Sequence, residues 1–357
     1  MTGSRELGDV TERGLLTIDD RATVLEVVDA FVSGERALTG LDLYYELERA
    51  TPLLEFHTMI REGPRNSTIS GLQQSYGDHN RLLMLGLDKL VEGDLEWLRS
   101  RLEHEGCVTD DELIACFASV QALDLTPRVA VALWLAGALH DCGMLCGRGS
   151  YVDVEDGLVL SRDVIDALCP AHLRPLAYFV IHHHDYIKDV FLGEAPVTFV
   201  ADELDALDVD IRPTALAALG LVQIAGAASL GDGRLGAFRM EIARACFDGT
   251  ALDDRTPETR LGRLLAREPS AAPPIAGDST TTLGSLEPFL RAAALHGWHR
   301  DAAASGVDER IQRLHAFASA WEAHGRPEHL VLSPVGTGTG MREETALNGT
   351  RVLVLDA

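Results

Sequence analysis

The chain has 357 residues, room for two domains of ordinary size or for one large helical domain with a tail. Acidic residues outnumber basic ones 55 to 31, and the resulting net charge of -24 excludes a protein that grips a nucleic-acid backbone by broad electrostatics. A hydrophobic fraction of 46% beside 24% charged residues excludes disorder over most of the length.

Residues Met1 to Asp20 carry charge throughout and have no apolar core, so no secretory signal is expected. Cys107, Cys116, Cys142, Cys146, Cys169 and Cys246 lack the spacing of a disulfide scaffold and read as reduced thiols, which places the protein in the cytoplasm. Apolar residues recur at helical spacing over 20–33, 41–60, 70–90, 92–104, 109–122, 127–141, 161–169, 172–184, 196–208, 213–230, 235–247, 286–296 and 305–323. Thr126-Pro127 is a ready helix start, with proline at the first helical position. The uncharged run Pro213 to Gly231 approaches bilayer length, but its Ala and Gly content, with Gln223 and Ser229 inside, reads as a tightly packed core helix, so no membrane contact is expected. Gly231-Asp232-Gly233-Arg234-Leu235-Gly236 fits a dinucleotide fingerprint in letters only, since a helix and not a strand precedes it. Residues 251–285 form a linker whose Pro/Ser/Thr-rich part starts at Glu268, and short strands are expected at His329–Leu332 and Arg351–Leu355, paired like a hairpin.

Thirteen histidines are present, and their placement follows a pattern. His79 lies on an early helix, ahead of Leu82-Leu83-Met84-Leu85. The apolar run Ala130–Leu139 stops at His140-Asp141 and continues Cys142-Gly143. A helix apolar all round is buried, so this imidazole and carboxylate are delivered into the interior, where they need partners. Mutual hydrogen bonding is one solution; a divalent metal is another. Phe179-Val180-Ile181 then leads into His182-His183-His184, read as the end of another helix, and Asp202 and Asp205 share a face of the helix after it. The order is His, His-Asp, His-His, Asp, each from a different helix.

This order, with Ala138-Leu139-His140-Asp141-Cys142-Gly143 and Ala201-Asp202-Glu203-Leu204-Asp205-Ala206-Leu207, resembles the HD-domain superfamily of metal-dependent phosphohydrolases over about residues 70–210. The pattern is nearest to the HD-GYP branch, although Lys188-Asp189-Val190-Phe191-Leu192-Gly193 replaces its Gly-Tyr-Pro loop, and cyclic-di-GMP hydrolysis is not expected. The resemblance implies an all-α helical bundle: an N-terminal helical segment (1–69), the metal-binding core (70–250), the linker (251–285) and a C-terminal helical extension with a small β appendage (286–357). It implies that His79, His140, Asp141 and Asp202 ligate a first metal and that His183, with His182, serves a second. No histidine precedes that pair in Tyr151–Gly157, so Glu155 or Asp156 would substitute, with His172 as another candidate.

The implied activity is hydrolysis of a phosphate ester, a nucleotide or small phosphorylated metabolite, by water activated on one or two Mn, Fe, Co, Ni or Zn ions. Asp141 would orient the water, His183 or His184 would protonate the leaving oxygen, and Lys188 would anchor phosphate. Met144 stands where many relatives carry a lysine, and Arg81 and Arg148 read as solvated. Two other readings stay open: a di-iron oxygenase on the same scaffold, and a regulatory module that binds metal or nucleotide without turnover. Cys142 and Cys146 read as packing near the metal, and the extension as a cover for the site or a homodimer contact.

Overall fold

The computed structural model describes residues 18–51, 76–102, 110–123, 125–146, 153–192, 197–230, 233–252, 329–333, 341–345, 348–349 and 351–356. These residues are mainly helical. The chain divides into two compact units, one of residues 1–184 with 204–249, the other of 185–203 with 250–357. Among the described residues no helix is long and apolar enough to cross a membrane.

The first unit is built on α1 (Ile18–Val32), α2 (Gly40–Ala50), α3 (Tyr76–Glu92), α4 (Leu95–Leu102), α5 (Asp110–Gln121) and α6 (Pro127–Leu139). It continues through α7 (Asp153–Leu168), the first part of α8 (Arg174–Leu192), the end of α9 (Val197–Ala206), α10 (Arg212–Leu230) and α11 (Gly233–Phe247). Helices α1 and α2, set apart by the sequence reading as an N-terminal segment, pack within this unit on α6, with α1 also on α7 and α2 on α3.

Helix starts follow from local chemistry. Thr39 caps α2 in a reciprocal box, its hydroxyl accepting from Asp42 N at 3.1 Å while Asp42 Oδ2 accepts from Thr39 N at 3.2 Å. The next two amides are taken by Asp88 of α3, which accepts from Gly40 N at 2.7 Å and Leu41 N at 3.0 Å. All the first-turn donors of α2 thus have side-chain partners, one set local and one 48 residues away. Helix α6 is capped by Thr126, which accepts from Val129 N, and is buried from Ala130 to Leu139.

The centre of the unit is α3, with α6 on one side and α10 on the other. Small residues set both distances. A side chain on Gly137 would meet Leu87 Cδ1 at 2.9 Å, and one on Gly86 would meet Ala225 Cα at 3.2 Å. Leu83, Met84, Leu87 and Leu90 of α3 are fully buried in these contacts. Their burial, at roughly 1.5–3 kcal/mol per large apolar side chain, holds α3 in place.

Helix α2 ends at Ala50, with the extended Thr51 as its C-cap, and not near 60, since a residue that precedes proline is disfavoured in a helix. Two further helix limits differ clearly from the sequence reading. Helix α7 begins at Asp153 and not near 161, because Gly157 continues the helix where a loop was expected; its carbonyl accepts from Cys142 Sγ at 3.4 Å on the 3-10 turn Cys142–Cys146. Helix α8 runs on to Leu192, so the three histidines lie inside it and not at its end. No glycine or proline occurs between Asp185 and Leu192, and Gly193 is the first breaker. The helices expected at 286–296 and 305–323 and the linker after 252 lie outside the described residues.

In the second unit three short strands, β1 (His329–Ser333), β2 (Met341–Thr345) and β3 (Arg351–Asp356), form a sheet in the order β1-β3-β2. The hairpin expected of β1 and β3 is corrected: they run parallel, with His329 opposite Val352, and the antiparallel partner of β3 is β2, with Met341 opposite Leu355. Parallel neighbours need a crossover, and residues 334–350, which include β2, make it.

Candidate metal centre

The buried helix α6 carries its last residue, Leu139, to full burial and leaves His140 as the C-cap, followed by Asp141 and the 3-10 turn. His140 Nδ1 lies 2.8 Å from Gly137 O. A carbonyl only accepts, so Nδ1 carries the proton and Nε2 is turned toward Asp141 Oδ2, 3.2 Å away. The same device recurs on α8, where His184 Nδ1 donates to Ile181 O at 2.7 Å and Nε2 faces Asp141 Oδ1 at 3.4 Å. On α3, His79 Nδ1 is 2.8 Å from Ser229 Oγ of α10. The Ser229 hydroxyl donates to Gly226 O at 2.6 Å, so its oxygen accepts the His79 proton. His79 Nε2 then lies 3.7 Å from Asp141 Oδ2.

Three imidazoles therefore present Nε2 to one carboxylate. His79 and Asp141 keep 13% and 11% of their side-chain surface exposed, and His140 is buried. Burial pushes the His79 imidazole down to about 4, against the opposing pull of Asp141 and with the help of His140, Arg239 and His184. Burial alone would raise the Asp141 carboxyl, but the imidazoles of His140, His184 and His79 around it hold it well below the usual carboxylate range. At neutral pH the carboxylate is ionised and His79 is neutral, the protonation states in which both ligate metals. Nitrogen lone pairs facing a carboxylate repel it unless a cation stands between them.

The residues fit such an ion. Ligand atoms of His79, His140 and Asp141 all lie within 4.8 Å of one another and could hold a metal. Donors about 2.0–2.2 Å from a shared ion stand roughly 3–3.5 Å apart, close to the 3.2 and 3.7 Å that separate the His140 and His79 nitrogens from Asp141 Oδ2. Imidazole with carboxylate suits Zn, Fe, Mn and similar divalent ions.

The run His182-His183-His184 serves two places, since successive residues of a helix point about 100° apart. His184 faces Asp141, whereas the sequence reading offered it, or His183, as the donor of the leaving-group proton. His182 Nε2 is 2.7 Å from Glu155 Oε1 of α7, and both are buried. Glu155 and Asp156 are the two carboxylates suggested in place of the missing histidine; both are buried, and it is Glu155 that meets His182. The His183 ring lies 4.5 Å from His182 and 4.8 Å from Phe179.

Asp202 is exposed on α9, in the second unit. His172 is exposed as well. Lys188 is on the last part of α8 with its side chain outside the described ones, and Arg148 and Asp232 also lie outside the described residues. Arg81 is engaged within the protein: it bonds both oxygens of Glu48 at 2.8 and 3.0 Å and lies over the Tyr45 ring at 5.8 Å. Cys142 is buried against Gly157, a packing role, and Met144 is half-buried. Sequence reasoning passed over Ser229 and Gln223 as site residues; the signal was there, two polar side chains in an Ala/Gly-rich helix. Comparison with protein-family models, curated proteins and solved structures gives no match for this chain.

Proposed function

We propose that the chain is an HD-type metal-dependent phosphohydrolase acting on a nucleotide or small phosphorylated metabolite. The observation that carries this reading is the convergence of His79, His140 and His184 on Asp141, each imidazole with its Nδ1 already occupied. The HD-type order of residues along the chain supports it. When bound, a divalent ion supplies charge neutralisation at the phosphoryl oxygens and a nucleophilic water at neutral pH.

The chain's own residues supply the rest. Asp141, ionised, holds positive charge at the centre of the cluster and orients the attacking water. His79, His140 and His184 fix the centre from three helices. His182 Nε2 and Glu155 Oε1 lie within hydrogen-bond distance of each other, and His183 beside this pair would be the acid for the leaving oxygen. The acidic surface favours small, metal-neutralised substrates over polyanions.

The test is metal analysis of protein purified without added metal, followed by phosphatase and phosphodiesterase assays with Mn, Co or Ni. Metal-dependent phosphate release is the expected result. Two irons per chain with oxygen uptake would instead establish an oxygenase, and bound metal without turnover in either assay a regulatory module.

A further inference from the structure

Helix α10 is buried almost throughout, and most of its residues are Ala, Gly, Leu, Val or Ile. Gln223 and Ser229 are the polar side chains in its buried stretch, and both are wholly inaccessible. Burying an amide or a hydroxyl without a partner costs about 1–3 kcal/mol, and alanine would continue this helix without that cost. What the two side chains touch explains their presence. Ser229 accepts from His79 Nδ1 at 2.8 Å and donates to Gly226 O. Gln223 Nε2 donates to the backbone carbonyl of His184, and Gln223 Oε1 accepts from Arg239 Nη1 of α11 at 3.3 Å. A carbonyl only accepts and a guanidinium only donates, so these two partners fix which way the amide points.

We propose that α10 is the outer shell of the metal centre, with Ser229 and Gln223 as positioning residues. Ser229 holds His79 as the Nδ1–H tautomer with Nε2 presented to the ion, and Gln223 fixes the backbone that carries His184. The proposal rests on the reading of this cluster as a metal centre. A serine that merely bonded its own helix carbonyl would leave His79 indifferent to its removal. An outer partner that orients a ligating imidazole changes metal affinity by about 10–100-fold.

The experiment uses the full chain and two readouts besides activity. The first is the tautomer of His79 in the metal-free protein, from long-range 15N–1H correlation spectra assigned with His79→Gln. The second is titration with Co2+, followed by its visible absorption. Wild type should show His79 protonated at Nδ1. Ser229→Ala should populate the Nε2–H form and weaken Co2+ binding about 10–100-fold, Gln223→Leu should weaken it with the His79 tautomer unchanged, and Ser229→Thr should restore the tautomer. Wild-type Co2+ affinity in both Ser229→Ala and Gln223→Leu would overturn the proposal while leaving the hydrolase reading intact. Tight Co2+ binding by wild type, weakened in the variants but without turnover, would sink the hydrolase and keep the proposal. Absence of Co2+ binding by wild type would end both. If Ser229→Ala does not fold, the wild-type spectrum decides, since a His79 protonated at Nε2 overturns the assignment.

Discussion

At the scale of single residues, the chemistry turns on Asp141, a carboxylate faced by three imidazole nitrogens. Asp141→Ala and His140→Ala should each lose stoichiometric metal, measured by elemental analysis after dialysis, and full retention in both variants would remove the site. His140 and Asp141 stood out in the sequence because an apolar run that stops at an imidazole and a carboxylate has to bury them, whereas His79 stood out only through its place in the HD-like order of residues. The role of His184 was not legible, because a run of three histidines does not reveal how its helix is rotated. Ser229 and Gln223 were visible as letters, but their partners are on other helices, at separations such as the 150 residues between Ser229 and His79.

Asp88 makes a second residue-scale prediction. Burial raises its carboxyl from 3.8 to about 6, against the two amides of α2 that lower it. The folded state therefore binds a proton more tightly than the unfolded chain does. The stabilisation from that proton is complete below about 4 and is lost as pH rises through about 6. Thermal melts of wild type minus Asp88→Asn should show wild type losing stability between those values, and a flat difference curve would show that Asp88 does not titrate in this range.

At the scale of elements, the site depends on how closely α3 lies between α6 and α10. Alanine at position 86 would raise helix propensity by up to about 1 kcal/mol, but its methyl would meet backbone atoms of Ala225, Cα at 3.2 Å and O at 3.4 Å. Backbone yields only if a helix moves, so the clash should win. Gly86→Ala is expected to destabilise by about 1–3 kcal/mol, read as a lower denaturant midpoint, and to weaken metal binding as well, because α3 carries His79. Helix existence was legible from periodicity, including α6 to within two residues. The start of α7 was not, since a glycine among acidic residues reads as a break unless the turn packed on it is known. The parallel pairing of β1 with β3 was also beyond the sequence, because two short apolar segments carry no sign of strand direction.

At the scale of the whole molecule, the net charge of -24 works against any compact state. Raising NaCl from about 0.05 to 0.5 M should therefore raise the melting temperature, by screening. A divalent ion that occupies the centre should add to this by mass action, about 2.7 kcal/mol when free metal stands at a hundred times its Kd. The check is melting in Mn2+ against NaCl of matched ionic strength, then with chelator. An increment equal to the salt control would mean that the ion only screens.

The imidazoles of the cluster are not held in the same way. His140 and His184 lean on carbonyls three residues back in their own helices, Gly137 O and Ile181 O, which belong to the main chain and persist whatever side chains are substituted. His79 alone leans on a replaceable group, the hydroxyl of Ser229. The cluster thus has two rigid corners and one adjustable corner. A laboratory search for variants with altered metal preference would therefore gain most at position 229, where one substitution retunes a single donor and leaves the other two untouched.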